Sequence, residues 1–381
     1  MAYDKLVDSA ALDAALKASA DAIRGKTGDT ASIPWDANKG FAEAIAGIQA
    51  GGGGEEEWFN DGDTHIWITL GEGRTSPVLG VGVNGTVTVD WGDGGTPDVL
   101  TGTNIGTTKY TPSHVYATAG DYIIRLTVDG EIKFQTNSYS SSKESTLLQY
   151  SDKSSDIDKA YRIAIKRIEV GNGVTGITDG SFTGLTSLTS VVIPDDVTSI
   201  GSKAFSGCTS LPYVVIPNGV TSIGAYAFRG CSSLSSFTIP DSVTSIGLYA
   251  FNGCSALTSV VIPDGVTIID SNTFANCLAL TSVTIPDSVT SIGLRAFDGC
   301  SALVSAVIPE GVTNIDNYAF NTCSILLYCD FSKHTAVPAL GGTKAFYGIP
   351  SDCEIRVPAA LYDEWIAATN WSTFASNIVA V

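Results

Sequence analysis

Eight cysteines, three histidines and a recurring column of acidic residues are the groups in this chain best able to do chemistry. Six of the cysteines, Cys208, Cys231, Cys254, Cys277, Cys300 and Cys323, stand 23 residues apart. Side chains at a fixed step occupy equivalent places in successive turns, so they point the same way and not at each other. That arrangement disfavours disulfides and suits a column of small buried thiols. A metal centre needs His or Cys converging from different directions, and His65, His114 and His334 lie far apart, so neither a metal nor another cofactor is expected. Asp195, Asp241, Asp264, Asp287 and Glu310 also recur once per step, each directly after a proline. A glycosidase pair must flank one sugar from two sides. Acids aligned on one edge do not, and turn chemistry accounts for them. The chain has no G-x-S-x-G, P-loop or H-E-x-x-H motif, and no enzyme activity is expected.

What remains is a set of large polar side chains without a core role. One variable column reads Lys203, Tyr226, Tyr249, Asn272, Arg295, Tyr318, and another reads Ser206, Arg229, Asn252, Ala275, Asp298, Asn321. Outward strand positions are mostly Ser, Thr and Val, with Tyr213 the exception. Exposed Tyr and Arg are favoured contact residues, able to stack on a sugar or anchor a protein. Tyr213, Tyr226, Arg229, Tyr249, Arg295 and Tyr318 are therefore the binding candidates.

The elements that position them follow from the period. Phe205, Phe228, Phe251, Phe274, Phe297 and Phe320 keep the same step of 23, as do Pro194, Pro217, Pro240, Pro263, Pro286 and Pro309. A fixed period of this length specifies a solenoid whose turns bury their apolar sides only against each other. Within one turn, Leu188, Val191 and Ile193 point inward from a short strand. Pro194 ends it in a tight turn, and Val197 and Ile200 return inward. Ala204 and Phe205 are expected to open a short helical turn, which Gly207 closes in the left-handed conformation. The step from Phe320 to Phe346 is 26, placing a three-residue insertion around residues 334–342.

Composition divides the rest. Residues 1–50 carry helical apolar stripes, 51–57 are a Gly/Glu linker, and 58–136 alternate as short antiparallel strands do. Residues 137–164 form a polar connector, 165–345 the repeats, and 346–381 a C-terminal cap bearing Trp365, Trp371 and Phe374. The fold class is thus mainly β, a 23-residue-repeat solenoid preceded by a β-sandwich and a small helical segment. With 21 basic against 39 acidic residues the net charge is −18, which disfavours nucleic acid and anionic membranes as partners. No stretch approaches the roughly 18 apolar residues of a membrane span, and the first residues lack the apolar core of a signal peptide.

Three resemblances rest on these residues. The repeat I-P-x-x-V-x-x-I-x-x-x-A-F-x-x-C-x-x-L resembles the BspA-type leucine-rich repeat of bacterial surface and phage proteins. It lacks the Asn ladder of commoner leucine-rich repeats, because the column at Asp196 holds Asp, Gly or Ser. The family implies adhesion and ligand binding, with no catalytic residues. The series VTVDWGDGG, HVY and GDYIIRLTV (Val87–Gly95, His114–Tyr116, Gly120–Val128) is similar to a PKD-type Ig-like sandwich. Asp90 and Asp93 in it read as turn residues more readily than as calcium ligands, and His114 reads as structural. Residues 1–50 look like the opening of phage tail-fibre proteins. Together these imply a tail-associated adhesin in the virion, made in the host cytoplasm. It would dock to other tail or baseplate proteins through residues 1–50, bind a host surface glycan or protein through the repeats, and form a homo-oligomer, a trimer by analogy. The alternatives are a bacterial cell-surface leucine-rich-repeat adhesin or a capsid decoration protein.

Overall fold

Each 23-residue turn lays down two very short strands, and equivalent strands of successive turns pair in parallel. The computed structural model describes residues 62–70, 77–79, 81–103, 109–110, 112–134, 148–150, 164–172 and 174–381; the expected helices of 1–50 and the linker 51–57 lie outside them. One ladder joins Ser259–Val261, Ser282–Thr284, Ser305–Val307, Tyr328–Asp330 and Glu354–Val357, and a second joins Ile268–Ile269, Ser291–Ile292, Asn314–Ile315 and Ala339–Leu340. Inward residues are the expected ones: Leu188, Val191, Ile193, Val197 and Ile200 are all buried. The turn after each proline closes as the sequence predicts, with Val197 N–H donating to Pro194 O and Val266 N–H to Pro263 O.

The phenylalanines form a continuous stack through the core. Ring centroids from Phe205 to Phe320 are 5.2–5.6 Å apart, with planes within 13° of parallel. Beside them each thiol caps the phenylalanine carbonyl of the preceding turn. Cys231 Sγ donates to Phe205 O at 3.1 Å and Cys254 Sγ to Phe228 O at 3.2 Å, and the pattern holds for all six. Those carbonyls also accept the turn's own N–H, so the thiol fills a second lone pair. Where an Asn ladder is missing, hydroxyls stitch the turns instead. Thr198 donates to Thr175 O, Thr244 to Thr221 O, and Thr281 to Thr258 O.

The segment around Phe205 is not helical. Its N–H groups alternate between two destinations. Ala204, Ser206 and Cys208 bond three residues back to Gly201, Lys203 and Phe205, while Lys203, Phe205 and Gly207 bond forward to Ala225, Ala227 and Arg229 of the next turn. A helix would claim every N–H for itself. Committing every second one to the neighbouring turn leaves a chain of β-turns.

The region before the repeats shares their sheet. Strands β1 (Thr64–Leu70), β2 (Pro77–Leu79), β3 (Val81–Asp90), β4 (Asp98–Thr103), β5 (Lys109–Tyr110), β6 (Gly120–Phe134) and β7 (Leu148–Tyr150) precede β8 (Ala164–Glu169) and β9 (Ser190–Val192). The sheet order is β4-β3-β6-β1-β8-β9, with β5 on β3. Antiparallel pairing of β1 with β8 therefore covers the edge that the first turn would otherwise leave open. Gly171 lies so close to Asp63 that a Cβ there would stand 2.5 Å from its carbonyl carbon. The sequence places β7 within a polar connector, yet it pairs with β2 as a separate two-stranded sheet. Among the described residues these two sheets are what stands for the expected sandwich. Its motif residues hold one another: Trp91 Nε1 donates to Asp98, Tyr116 Oη to Trp91 O, and His114 stacks on Trp91 while meeting Asp93 at 2.7 Å. Asp90 and Asp93 accept the N–H groups of Gly92 and Gly95, as turn residues do.

The far end is closed differently. Only Trp365 lies on a helix (Tyr362–Ala367); Asn370, with φ of 68°, turns the chain so that Trp371 and Phe374 sit on a following 3-10 turn. Asn370 Nδ2 donates to Leu340 O and Trp371 Nε1 to Pro338 O, satisfying carbonyls that lack a next turn. Strand Ile378–Ala380 extends the other ladder by pairing with Glu354–Val357. The inserted residues bring His334 into this cap, buried against Phe331 and Trp365 with Nε2 3.3 Å from Val312 O.

Two predictions follow from this packing. Phe251→Ala, which opens a hole between Phe228 and Phe274, lowers unfolding free energy by about 3–5 kcal/mol in denaturant titration. Burial lowers the His334 pKa below its ordinary 6.5, so the unfolded chain binds the proton more tightly and stability falls as pH drops through that value. The melting temperature therefore declines between about pH 7 and 5, and His334→Phe makes that decline shallower.

Candidate binding surface

The candidates separate into two places. Tyr213 lies on the strand face, bridged to Ser236. Burial raises its phenol pKa, with the neighbouring Ser190 hydroxyl and Arg167 opposing. Tyr226, Arg229, Tyr249, Arg295 and Tyr318 instead share one edge, the chain of β-turns around the phenylalanine stack.

On that edge the backbone itself is unusual. Lys203, Tyr226, Tyr249, Asn272, Arg295 and Tyr318 all have φ between 55° and 60°. This left-handed region is disfavoured for residues with a Cβ by about 1 kcal/mol or more each, Asn being the best tolerated. Four residues further on, each turn visits the same region again, and there the chain uses Gly207, Gly230, Gly253 and Gly299, departing only at Asn276 and Thr322. The two columns face the same backbone demand. One answers it with glycine, and the other keeps large polar side chains. Packing of the backbone does not require those side chains.

Their geometry is orderly. Tyr226 and Tyr249 stack with centroids 4.8 Å apart and planes 5° from parallel. Lys203 Nζ and the Arg229 guanidinium each lie 5.8 Å from the Tyr226 ring. Further along, Arg295 and Lys344 lie 5.0 and 5.4 Å from the Tyr318 ring, and Arg295 is 3.9 Å from Asp298. These distances suit cation–π attraction. One face of the Tyr226 ring is thus covered by Tyr249. Lys344 was hidden from the column by the three-residue insertion; a hydrogen bond with Tyr318 raises its pKa.

The cysteines are all buried. Burial pushes the thiols of Cys231, Cys277 and Cys323 up to about 12. No group of three or more His, Cys, Asp or Glu able to hold a metal occurs among the described residues. No helix of the described residues is long and apolar enough to cross a membrane.

Comparison with known proteins bears on the repeats. The family model described as the BspA type leucine rich repeat region matches in six copies, over residues 158–279 and 221–350. No curated protein matches the chain. Among solved structures it is similar to the T. pallidum leucine-rich repeat protein TpLRR, at 26% identity over 36% of this chain and 77% of that one, with a TM-score of 0.33. A leucine-rich repeat protein from Bacteroides ovatus matches at 24% identity over 57% and 66% of the two chains, TM-score 0.37. The pneumococcal vaccine antigen PcpA matches at 15% over 59% and 82%, TM-score 0.32.

The buried thiol column has a direct test. Ellman's reagent finds no reactive thiol in the native protein and all eight cysteines after denaturation, because the thiolate is the reacting form.

Proposed function

The chain belongs to the BspA-type leucine-rich-repeat family, and from that footing we propose that it is a non-catalytic adhesin of a bacterial cell surface. It attaches to a glycan or protein through the edge that carries Tyr226, Arg229, Tyr249, Arg295 and Tyr318. The observation that carries this reading is the left-handed column, where large polar residues stand in six successive turns although glycine serves the same conformation four residues away. Side chains kept against their backbone preference mark places where function outweighs local stability.

The surface placement rests on the repeats, which the family match covers. The tail placement rests on residues 1–50, which lie outside the described residues, so the surface reading is the one carried forward. The reading is non-catalytic, as the sequence leads one to expect. Asp195, Asp241, Asp264, Asp287 and Glu310 are exposed, one per turn on the same bend, where none faces another across a cleft. Adhesion works instead through many weak contacts, repeated along one molecule and multiplied by the copies displayed on a cell.

Beads coated with the full chain should attach to at least one cell type in a panel of bacterial and animal cells, well above beads coated with albumin. The triple variant Tyr226→Gly, Tyr249→Gly, Tyr318→Gly should lose most of that attachment. Equal attachment by the variant would remove the edge from the mechanism, and none by the native chain would remove adhesion.

A further inference from the structure

We infer that the first turns of this edge form a site for an acidic polysaccharide, one carrying carboxylate or sulfate groups, with Lys203 and Arg229 as the anion-binding pair and Tyr226 and Tyr249 as its hydrogen-bonding rail. The inference rests on the adhesin reading and names the ligand class that reading leaves open. It begins from the distribution of charge within a chain whose net charge is −18. Stretches 201–210, 224–233 and 247–256, the three successive passes of the chain along this edge, contain Lys203 and Arg229 and no Asp or Glu. The following passes are different: Asp270 enters at the next, Arg295 is paired with Asp298, and Asp316 follows. In the pass before, Asp179 accepts the N–H of Ser202. Within these three passes, then, the two cations have no acidic residue of their own pass as a partner.

Both cations approach the same tyrosine. Each stands 5.8 Å from the ring of Tyr226, itself stacked on Tyr249, and Lys203 and Arg229 are both exposed. Two cations at one half-buried ring, on an edge that also carries phenols, supply the kinds of donor an anionic sugar group needs: charge-assisted hydrogen bonds from cations and neutral ones from phenols. The two stacked tyrosines stand 4.8 Å apart, so neighbouring units of a linear polymer lying along the edge would meet one phenol each. Net negative charge repels such a polymer at long range. Screening confines that repulsion to about 10 Å at 0.1 M salt, leaving the local pair to decide contact.

The left-handed conformation of Lys203 supplies a test in which loss of folding and loss of binding are distinguished. Lys203→Gly relieves the backbone, and Arg229→Gln keeps a long polar side chain. Binding of the full chain to heparin, polygalacturonate and dextran should be measured by biolayer interferometry at physiological salt, with thermal melting in parallel. The native chain should bind heparin or polygalacturonate at least tenfold more tightly than dextran, and more weakly as salt rises. The Lys203→Gly, Arg229→Gln variant should lose at least tenfold in affinity with an unchanged or higher melting temperature. A charge-matched variant, Lys166→Gln with Arg356→Gln, should bind as the native chain does. Equal weakening by both variants would show diffuse electrostatics and overturn the site. Cell attachment without preference for either acidic polymer would overturn the ligand class while leaving adhesion intact. Binding to an acidic polymer by a chain that attaches to no cell would uphold the site and remove the adhesin reading.

Discussion

A single turn of 23 residues has one apolar side and nothing of its own to bury it against, so the contact between successive turns decides the rest of the structure. That contact has three layers. The phenylalanine stack fills the middle, parallel backbone ladders bind the flanks, and small donors, thiol on one column and hydroxyl on others, cap carbonyls of the turn before. Cysteine suits its column because it is small enough to sit beside a stacked ring and still donates weakly to oxygen. Serine would bring a stronger donor and a larger desolvation penalty. Each layer repeats with the turn, which is why whole columns of sequence are nearly invariant along the chain and variation is confined to a few positions.

The same dependence makes the two ends the exposed parts of the design. A first turn lacks a predecessor and a last turn lacks a successor, so each end leaves unpaired backbone groups. The N-terminal side is met with a whole sheet, β1 lying antiparallel along β8. On the C-terminal side one ladder gains a final strand, while carbonyls of the other are taken up by Asn370 and Trp371 side chains. His334 belongs to this economy as well. Its ring approaches Val312 O, as the Ser288 hydroxyl reaches the equivalent carbonyl of Val266. A histidine placed there extends the column while packing against Trp365, and its burial disfavours the protonated form.

Much of this was legible in sequence because the period is strict. The steps of Phe, Cys and Pro specify the solenoid, its plugs and its turns, and the inward residues follow from spacing within one repeat. What escaped has physical causes. Consecutive β-turns and a helical turn share apolar spacing over five residues; they differ in where N–H groups go, and here that is set by the next turn. Left-handed backbone is usually announced by Gly or Asn, and at Lys203 or Tyr249 no such residue announces it. Lys344 was out of register by three residues. The pairing of β1 with β8 joins segments about a hundred residues apart and has no local signature. Tyr213, read from sequence as an outward strand position, does lie on the strand face, apart from the edge tyrosines.

The two left-handed columns bear most directly on function. Both arise because alternate N–H groups serve the neighbouring turn, a constraint imposed by the stack. If backbone comfort were the sole consideration, both would drift toward glycine, as Gly207, Gly230, Gly253 and Gly299 have done. Stacking and cation–π contacts offset part of the strain at Tyr226 and Tyr318, at roughly 0.5–1 kcal/mol for each exposed cation–π contact. Those contacts are shared with Lys203 and Arg295, whose left-handed backbones carry a penalty of about 1 kcal/mol or more each. Such contacts return to the folded protein at most part of what glycine would save, and in the proposed reading a bound partner accounts for the rest.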